Sequence, residues 1–255
     1  MLATRIIPVI LVRGTKLVKG KQFKSWRSIG HAAQAAQIHA MRGVDELIML
    51  DISGERPNLP LIRELSQGCF SPLTVGGGVR TLTDIQNLLD NGADKVSICT
   101  GATDVEFIEQ ASNRFGSQAI VIAVDYKKVN GRPCVMVDSG TREIEMMNND
   151  GPISMHPVAW AIRAEDLGAG EILLTDIDRE GMMNGYDLDM IAKVSDEVTI
   201  PVIAHGGCGM PSHCLDAITA GAHAVAAGSI FCFTDTTPKD VAYFLDSVAV
   251  EVRLA

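Results

Sequence analysis

The chain lacks an excess of cations. Its 22 Lys and Arg face 31 Asp and Glu, a formal net charge of −9. That balance argues against nonspecific nucleic-acid binding, which needs a basic face. It leaves room for an anionic small ligand held by a local site. The chain also lacks a cysteine framework. Cys69, Cys99, Cys134, Cys208, Cys214 and Cys232 form no CxxC and no disulfide-type spacing, which fits a reducing, cytoplasmic setting. No apolar run is long enough to span a membrane. The start MLATRIIPVILVRG reads as a strand rather than a signal peptide. No Pro-, Gly- or Ser-rich linker divides the 255 residues. One closed domain over residues 1–255 is the expectation, with ample chain to bury a core.

What the chain has is a repeat. PLTVGGGVRTLTDIQNLLDNGADKVSICTG at 72–101 returns as PVIAHGGCGMPSHCLDAITAGAHAVAAGSI at 201–230. Gly77 maps to Gly206, Gly92 to Gly221 and Thr100 to Ser229, each at an offset of 129. Eight near-continuously apolar runs, at 5–12, 46–51, 72–76, 95–98, 119–125, 171–176, 200–205 and 223–228, read as strands buried on both faces of a parallel sheet. Helical stretches such as 31–42, 81–90 and 156–167 separate them. Thr81 and Asp84 form a capping-box pattern. Gly92, Gly168 and Gly221 fall where a left-handed helix cap needs glycine. The fold expected is a (β/α)8 TIM barrel of two repeated half-barrels. An open doubly wound sheet would give no reason for a half-length repeat. The long connections 13–30 and 126–155 leave strands one and five on the active face. They read as lids, the first of them basic, with Phe23 and Trp26.

Gly77 and Gly78 follow strand three, and Gly206 and Gly207 follow strand seven. Thr100 and the pair Gly228-Ser229 close strands four and eight. Glycine lets backbone N–H groups approach an anion, helix starts add positive potential, and a hydroxyl adds a donor. Two matched cups imply a ligand with a phosphate at each end. Tight turns would also use glycine, but would not need matched hydroxyls.

At these residues the chain resembles the cyclase subunit of imidazole glycerol phosphate synthase. VKG at 18–20, VDELIMLDIS at 44–53, TVGGGV at 74–79, FGSQAIVIAVD at 115–125 and GAGEILLTDIDREG at 168–181 carry the likeness, which spans nearly the whole chain. The resemblance implies ring closure on a doubly phosphorylated, ribulose-containing nucleotide, with ammonia from a partner glutaminase and no cofactor. It implies phosphate contacts at Gly77, Gly78 and Thr100, and at Gly181, Gly206, Gly207, Gly228 and Ser229.

The resemblance also implies two aspartates, ending strands one and five, as general acid and base. Such a pair works because environment sets its pKa values apart. Here strand five ends in Asp125, but Leu11 stands at the strand-one position. The internal repeat agrees, since Leu11-Val12-Arg13 aligns with Asp125-Tyr126-Lys127. Leucine transfers no proton, and Asp51 and Asp176 are the remaining candidate acids. Cys99, Glu180 and His205 are further departures from the family pattern.

Arg5, Glu46, Lys95 and Glu171 begin strands one, two, four and six, so they converge on the amino-terminal mouth. The resemblance implies a salt-bridged gate for ammonia there, with Asp94 facing the partner. A stabilising plug is the plainer alternative. His205, Cys208, His213, Cys214 and His223 match no zinc spacing, so no metal is expected. The leading expectation is a barrel subunit of a glutamine amidotransferase. It would dock a glutaminase, hold a phosphorylated small molecule, and pass ammonia to a sugar-modifying acceptor protein of polysaccharide synthesis. A functional cyclase of histidine biosynthesis and a ligand-gated scaffold without chemistry are the competing expectations. Neither nucleic acid nor membrane is an expected partner.

Overall fold

The computed structural model describes residues 3–54, 56–148 and 151–254. Eight parallel strands form its centre: β1 (Arg5–Arg13), β2 (Leu47–Asp51), β3 (Leu73–Gly76), β4 (Lys95–Ile98), β5 (Ile120–Val129), β6 (Glu171–Asp176), β7 (Val202–His205) and β8 (Ala224–Ala227). Each pairs with the next, and β8 pairs with β1, so the eight strands close into a barrel. Helices α1 (Ala32–Met41), α2 (Leu59–Gly68), α3 (Leu82–Asp90), α4 (Val105–Phe115), α5 (Pro157–Asp166), α6 (Leu188–Glu197), α7 (Pro211–Thr219), α8 (Ser229–Phe233) and α9 (Pro238–Ser247) follow the strands. This is the (β/α)8 barrel expected. The unit β3-α3-β4 recurs as β7-α7-β8 with every boundary moved by the same 129 residues.

Alternation along each strand splits the core into two layers. On β1, Ile6, Ile10 and Val12 face the helices. Ile7, Val9 and Leu11 face the lumen, with Ile48, Val121, Leu173, Ile203, Ala224 and Ala226. The lumen is therefore an apolar layer between two polar ends. Helix α3 shows how the outer layer is specified. Thr81 and Asp84 close a reciprocal capping box, Ile85 and Leu88 are buried, and Gly92 leaves the helix at φ 102°.

Both long connections, read from the sequence as lids, carry β-hairpins. Lys16–Lys21 pairs with β1 and with Lys24–His31. Arg132–Val137 pairs with the extended end of β5, and Glu145–Asn148 pairs with Gly151–Ser154. The first turn places Gln22 and Phe23 at φ 52° and 58°, without the Asn-Gly that usually announces such a turn. The second places Asn130-Gly131 at φ 51° and 79°, and that dipeptide is the usual announcement. Positions 149 and 150 lie outside the described residues.

Candidate functional site

At the carboxyl ends of the strands lies a cavity of about 220 Å³. Leu11 and Leu50, register partners on β1 and β2, form one wall. Phe23 and Trp26 of the first hairpin approach over it, with ring centroids 6.4 Å apart. Asp51, Gly77, Gly78, Thr100 and Asp125 also line it. Leu11 is 3% exposed, and Asp125 shares its cavity. The strand-one position that shares this cavity with Asp125 is thus hydrocarbon.

From the other wall a row of polar side chains runs away from the cavity. The Cys99 thiol lies 3.5 Å from Asp125 Oδ2 and donates to it. Thr175, the register partner of Asp125, meets His205 Nδ1 at 3.2 Å. His205 Nε2 lies 3.6 Å from Glu180, and Glu180 lies 3.3 Å from Lys19 Nζ. Burial lifts the Asp125 carboxyl to about 6, against the opposing hydrogen bonds from Thr175 and Cys99. Burial also pushes the Cys99 thiol well up, aided by the neighbouring Asp125 charge. Burial lowers the His205 imidazole from its ordinary value, against the pull of Glu180. Burial pushes the Glu180 carboxyl up, but Lys19, His205 and the Gly181 N–H together reverse this and hold it below the usual carboxylate range.

Asp51 and Asp176 are matched parts of the two halves. Asp51 Oδ1 accepts from Ser53 N, and Asp176 Oδ1 accepts from Asp178 N, both at 2.9 Å. Gly77 packs on the Asp51 backbone, and Gly206 packs on that of Asp176. A β-carbon at either glycine would strike those carbonyls, and both sit at positive φ. The acids thus build the cups. Only Asp51 shares the cavity with Asp125, and its carboxylate is also held by the Ser53 hydroxyl. Asp176 pairs with Arg179 at 3.3 Å, outside that cavity.

Gly181, Gly206, Gly207, Gly228 and Ser229 line one common pocket, with Glu180 and His205. Ser229 Oγ there is buried without a hydrogen-bond partner. The first cup differs. The start of α3 spends its donors on its own capping box, with Arg80 N also bonded to Asp84. An anion at Gly77, Gly78 and Thr100 would therefore meet the glycine turn, not a free helix start. Thr100 Oγ1 already accepts from Asp138 N of the second hairpin at 2.9 Å.

At the amino-terminal mouth the four charges meet. Arg5 reaches Glu46 at 2.6 Å and Glu171 at 2.9 Å, and Lys95 reaches each glutamate at 3.0 Å. Glu46 is 2% exposed and also accepts from Thr74 Oγ1 at 2.6 Å. Asp94 is exposed but holds the Leu73 N–H at 2.8 Å. The histidines set aside as ligands have other work: His213 Nδ1 accepts from Gly209 N and His223 Nδ1 from Val202 N. Cys208 and Cys214 touch each other at 3.5 Å. Among the described residues no three His, Cys, Asp or Glu side chains are grouped to hold a metal. No helix among them is long and apolar enough to cross a membrane.

Sequence reasoning missed Lys19 and Thr175 as site residues. Lys19 was hidden among the hairpin's other lysines, and only its burial distinguishes it. Thr175 precedes Asp176 in β6, and period-two alternation could have placed it in the lumen.

The raised carboxyls give one measurable consequence. A folded-state value of about 6, against 3.8 for the unfolded chain, means the folded chain binds more protons between those pH values. Stability contributed by Asp125 and Asp176 is present below about pH 4, is lost as pH rises to about 6, and is level above. Asp125→Asn should flatten this slope, by up to about 3 kcal/mol across the window. Urea melts of both proteins from pH 4 to 7 measure the difference. An unchanged slope would place the Asp125 carboxyl at its ordinary value.

A profile of the family described as histidine biosynthesis protein matches residues 5–237. A Campylobacter jejuni protein bearing the name imidazole glycerol phosphate synthase subunit is 42% identical over 258 aligned residues, covering all of both chains. The chain therefore belongs to the histidine biosynthesis protein family, within the imidazole glycerol phosphate synthase cyclase group.

Proposed function

We propose that this barrel, working as a single cytoplasmic domain, is the ammonia-conducting subunit of a glutamine amidotransferase whose ring-closing chemistry has been lost. A glutaminase docks at the amino-terminal mouth. Ammonia passes the ring of Arg5, Glu46, Lys95 and Glu171 and moves up an apolar lumen that favours the neutral molecule over ammonium. It leaves at the carboxyl face, where a phosphorylated small molecule is held by the glycine turns and a sugar-modifying acceptor protein of polysaccharide synthesis receives it. The observation that carries this reading is the contrast between the two ends. The charged ring is complete, while in the cavity above it the strand-one position beside Asp125 is Leu11.

A functional cyclase is the second reading, favoured by the intact Asp125 and the Asp51 carboxylate in the same cavity. The experiment mixes the purified chain with a glutaminase from its own source. Glutamine hydrolysis should rise on mixing, and the doubly phosphorylated nucleotide of the synthase should remain unconsumed. Turnover of that nucleotide by the unmodified chain would overturn the proposal and establish the second reading.

A further inference from the structure

We infer that Glu180 makes this barrel selective for a ligand with a single phosphate, because Glu180 and Lys19 fill the second cup with an internal ion pair. The inference rests on the reading of the glycine turns as phosphate sites, and it removes one of the two.

Lys19 leaves the first hairpin and is 1% exposed. Its ammonium lies against Gly228, where any β-carbon would collide with it. Glu180 Oε1 is 3.3 Å from that ammonium, and Oε2 is 3.6 Å from His205 Nε2. The backbone fastens the arrangement. Gln22 N donates to Glu180 O at 2.8 Å, Gln22 Nε2 donates to Asp178 O at 2.9 Å, and the Gly20 carbonyl packs on Gly181. No space for a water molecule remains among the cup residues.

Charge points the same way. Lys19 contributes one positive charge, Glu180 cancels it, and burial disfavours a charge on His205. A phosphate dianion entering this cup must displace a carboxylate already held by the cup's own cation. Breaking a buried pair leaves an uncompensated charge, so the exchange is unfavourable. The first cup has no such occupant. The Asp51 carboxylate there is bound to Ser53, Asp138 pairs with Arg80 and Arg142, and the turn opens into the 220 Å³ cavity. A ligand anchored there by one phosphate would reach Asp125 under Trp26 and Phe23. Its far end would carry no second phosphate.

Equilibrium dialysis of the full chain against radiolabelled inorganic phosphate tests this. The unmodified chain should bind one phosphate, weakened at least tenfold in Thr100→Val. Glu180→Gln should bind two, because the freed ammonium of Lys19 gains an anion from solution. Lys19→Met/Glu180→Gln should return to one, since both charges are then gone. If Glu180→Gln fails to fold, Glu180→Asp keeps the charge but draws it back from Lys19, and should show the second site more weakly. A second phosphate on the unmodified chain, or no gain in either Glu180 variant, overturns the role of Glu180. An unmodified chain that binds no phosphate rejects the cup reading itself.

Discussion

In a Glu180→Gln background, which frees the second cup, Leu11→Asp is expected to raise ring-closing activity with ammonia and the doubly phosphorylated nucleotide by ~10²–10⁴-fold over Glu180→Gln alone, the usual contribution of a positioned acid or base. Leu11 shares the cavity with Asp125, so a carboxylate there faces the existing one. Two neighbouring acids cannot ionise independently. Asp125, already at about 6 from burial, should rise further as its partner falls, dividing the roles of acid and base. A bell-shaped pH profile should therefore accompany the gain. The substitution also exchanges 3%-exposed hydrocarbon for a charge, at a cost of about 3 kcal/mol or more. Initial rates with ammonia from pH 5 to 9, alongside a thermal melt, read both effects. A folded double variant with no activity would show that the lost aspartate is not what silences the barrel. Leu11→Asp without Glu180→Gln should gain less, because the second phosphate still meets the Glu180–Lys19 pair.

The fold was legible because its signal is long-range and redundant. Eight apolar runs and a 129-residue offset need no side-chain detail, and the offset reappears in the strand and helix boundaries of both halves. The hairpins were less legible. Asn130-Gly131 carried a local signal that the length of the connection obscured. The Gln22-Phe23 turn carried none, since these residues rarely adopt positive φ and tertiary contacts hold them there. Those contacts are the Gln22 bonds to Glu180 and Asp178. A turn stabilised from across the barrel cannot be read from its own residues.

The site was legible where chemistry depends on position along a strand. Leu11, Asp125 and the four ring charges fall at strand ends, and alternation alone sends them to the lumen. It was illegible where function depends on pairing between distant segments. Lys19 and Glu180 are 161 residues apart, and nothing in either segment says that one fills the pocket of the other. Cys99 looked like a simple departure from the family pattern, yet its thiol sits on the Asp125 carboxylate.

Glu46→Gln is expected to cost about 3–5 kcal/mol, the loss seen when one partner of a buried ion pair is removed. In a chain of 255 residues that lowers Tm by roughly 10 °C. Glu46 is the most buried of the four ring residues and the acceptor for Arg5, Lys95 and Thr74 together. Its loss leaves two cations facing one remaining glutamate. Lys95→Met in the same chain restores neutrality, so the double variant should recover about 1–3 kcal/mol through the coupling between neighbours. Stability and function then separate. If the ring only plugs the barrel, the double variant behaves normally once its Tm recovers. If the ring admits ammonia, neutrality is not enough. In the glutaminase complex the double variant should still release glutamate without delivering ammonia through the barrel. Thermal melts set beside the ratio of glutamate released to ammonia escaping into solution decide between them. Recovery of both quantities together would reduce the ring to a structural plug and would leave the apolar lumen above it without a cargo.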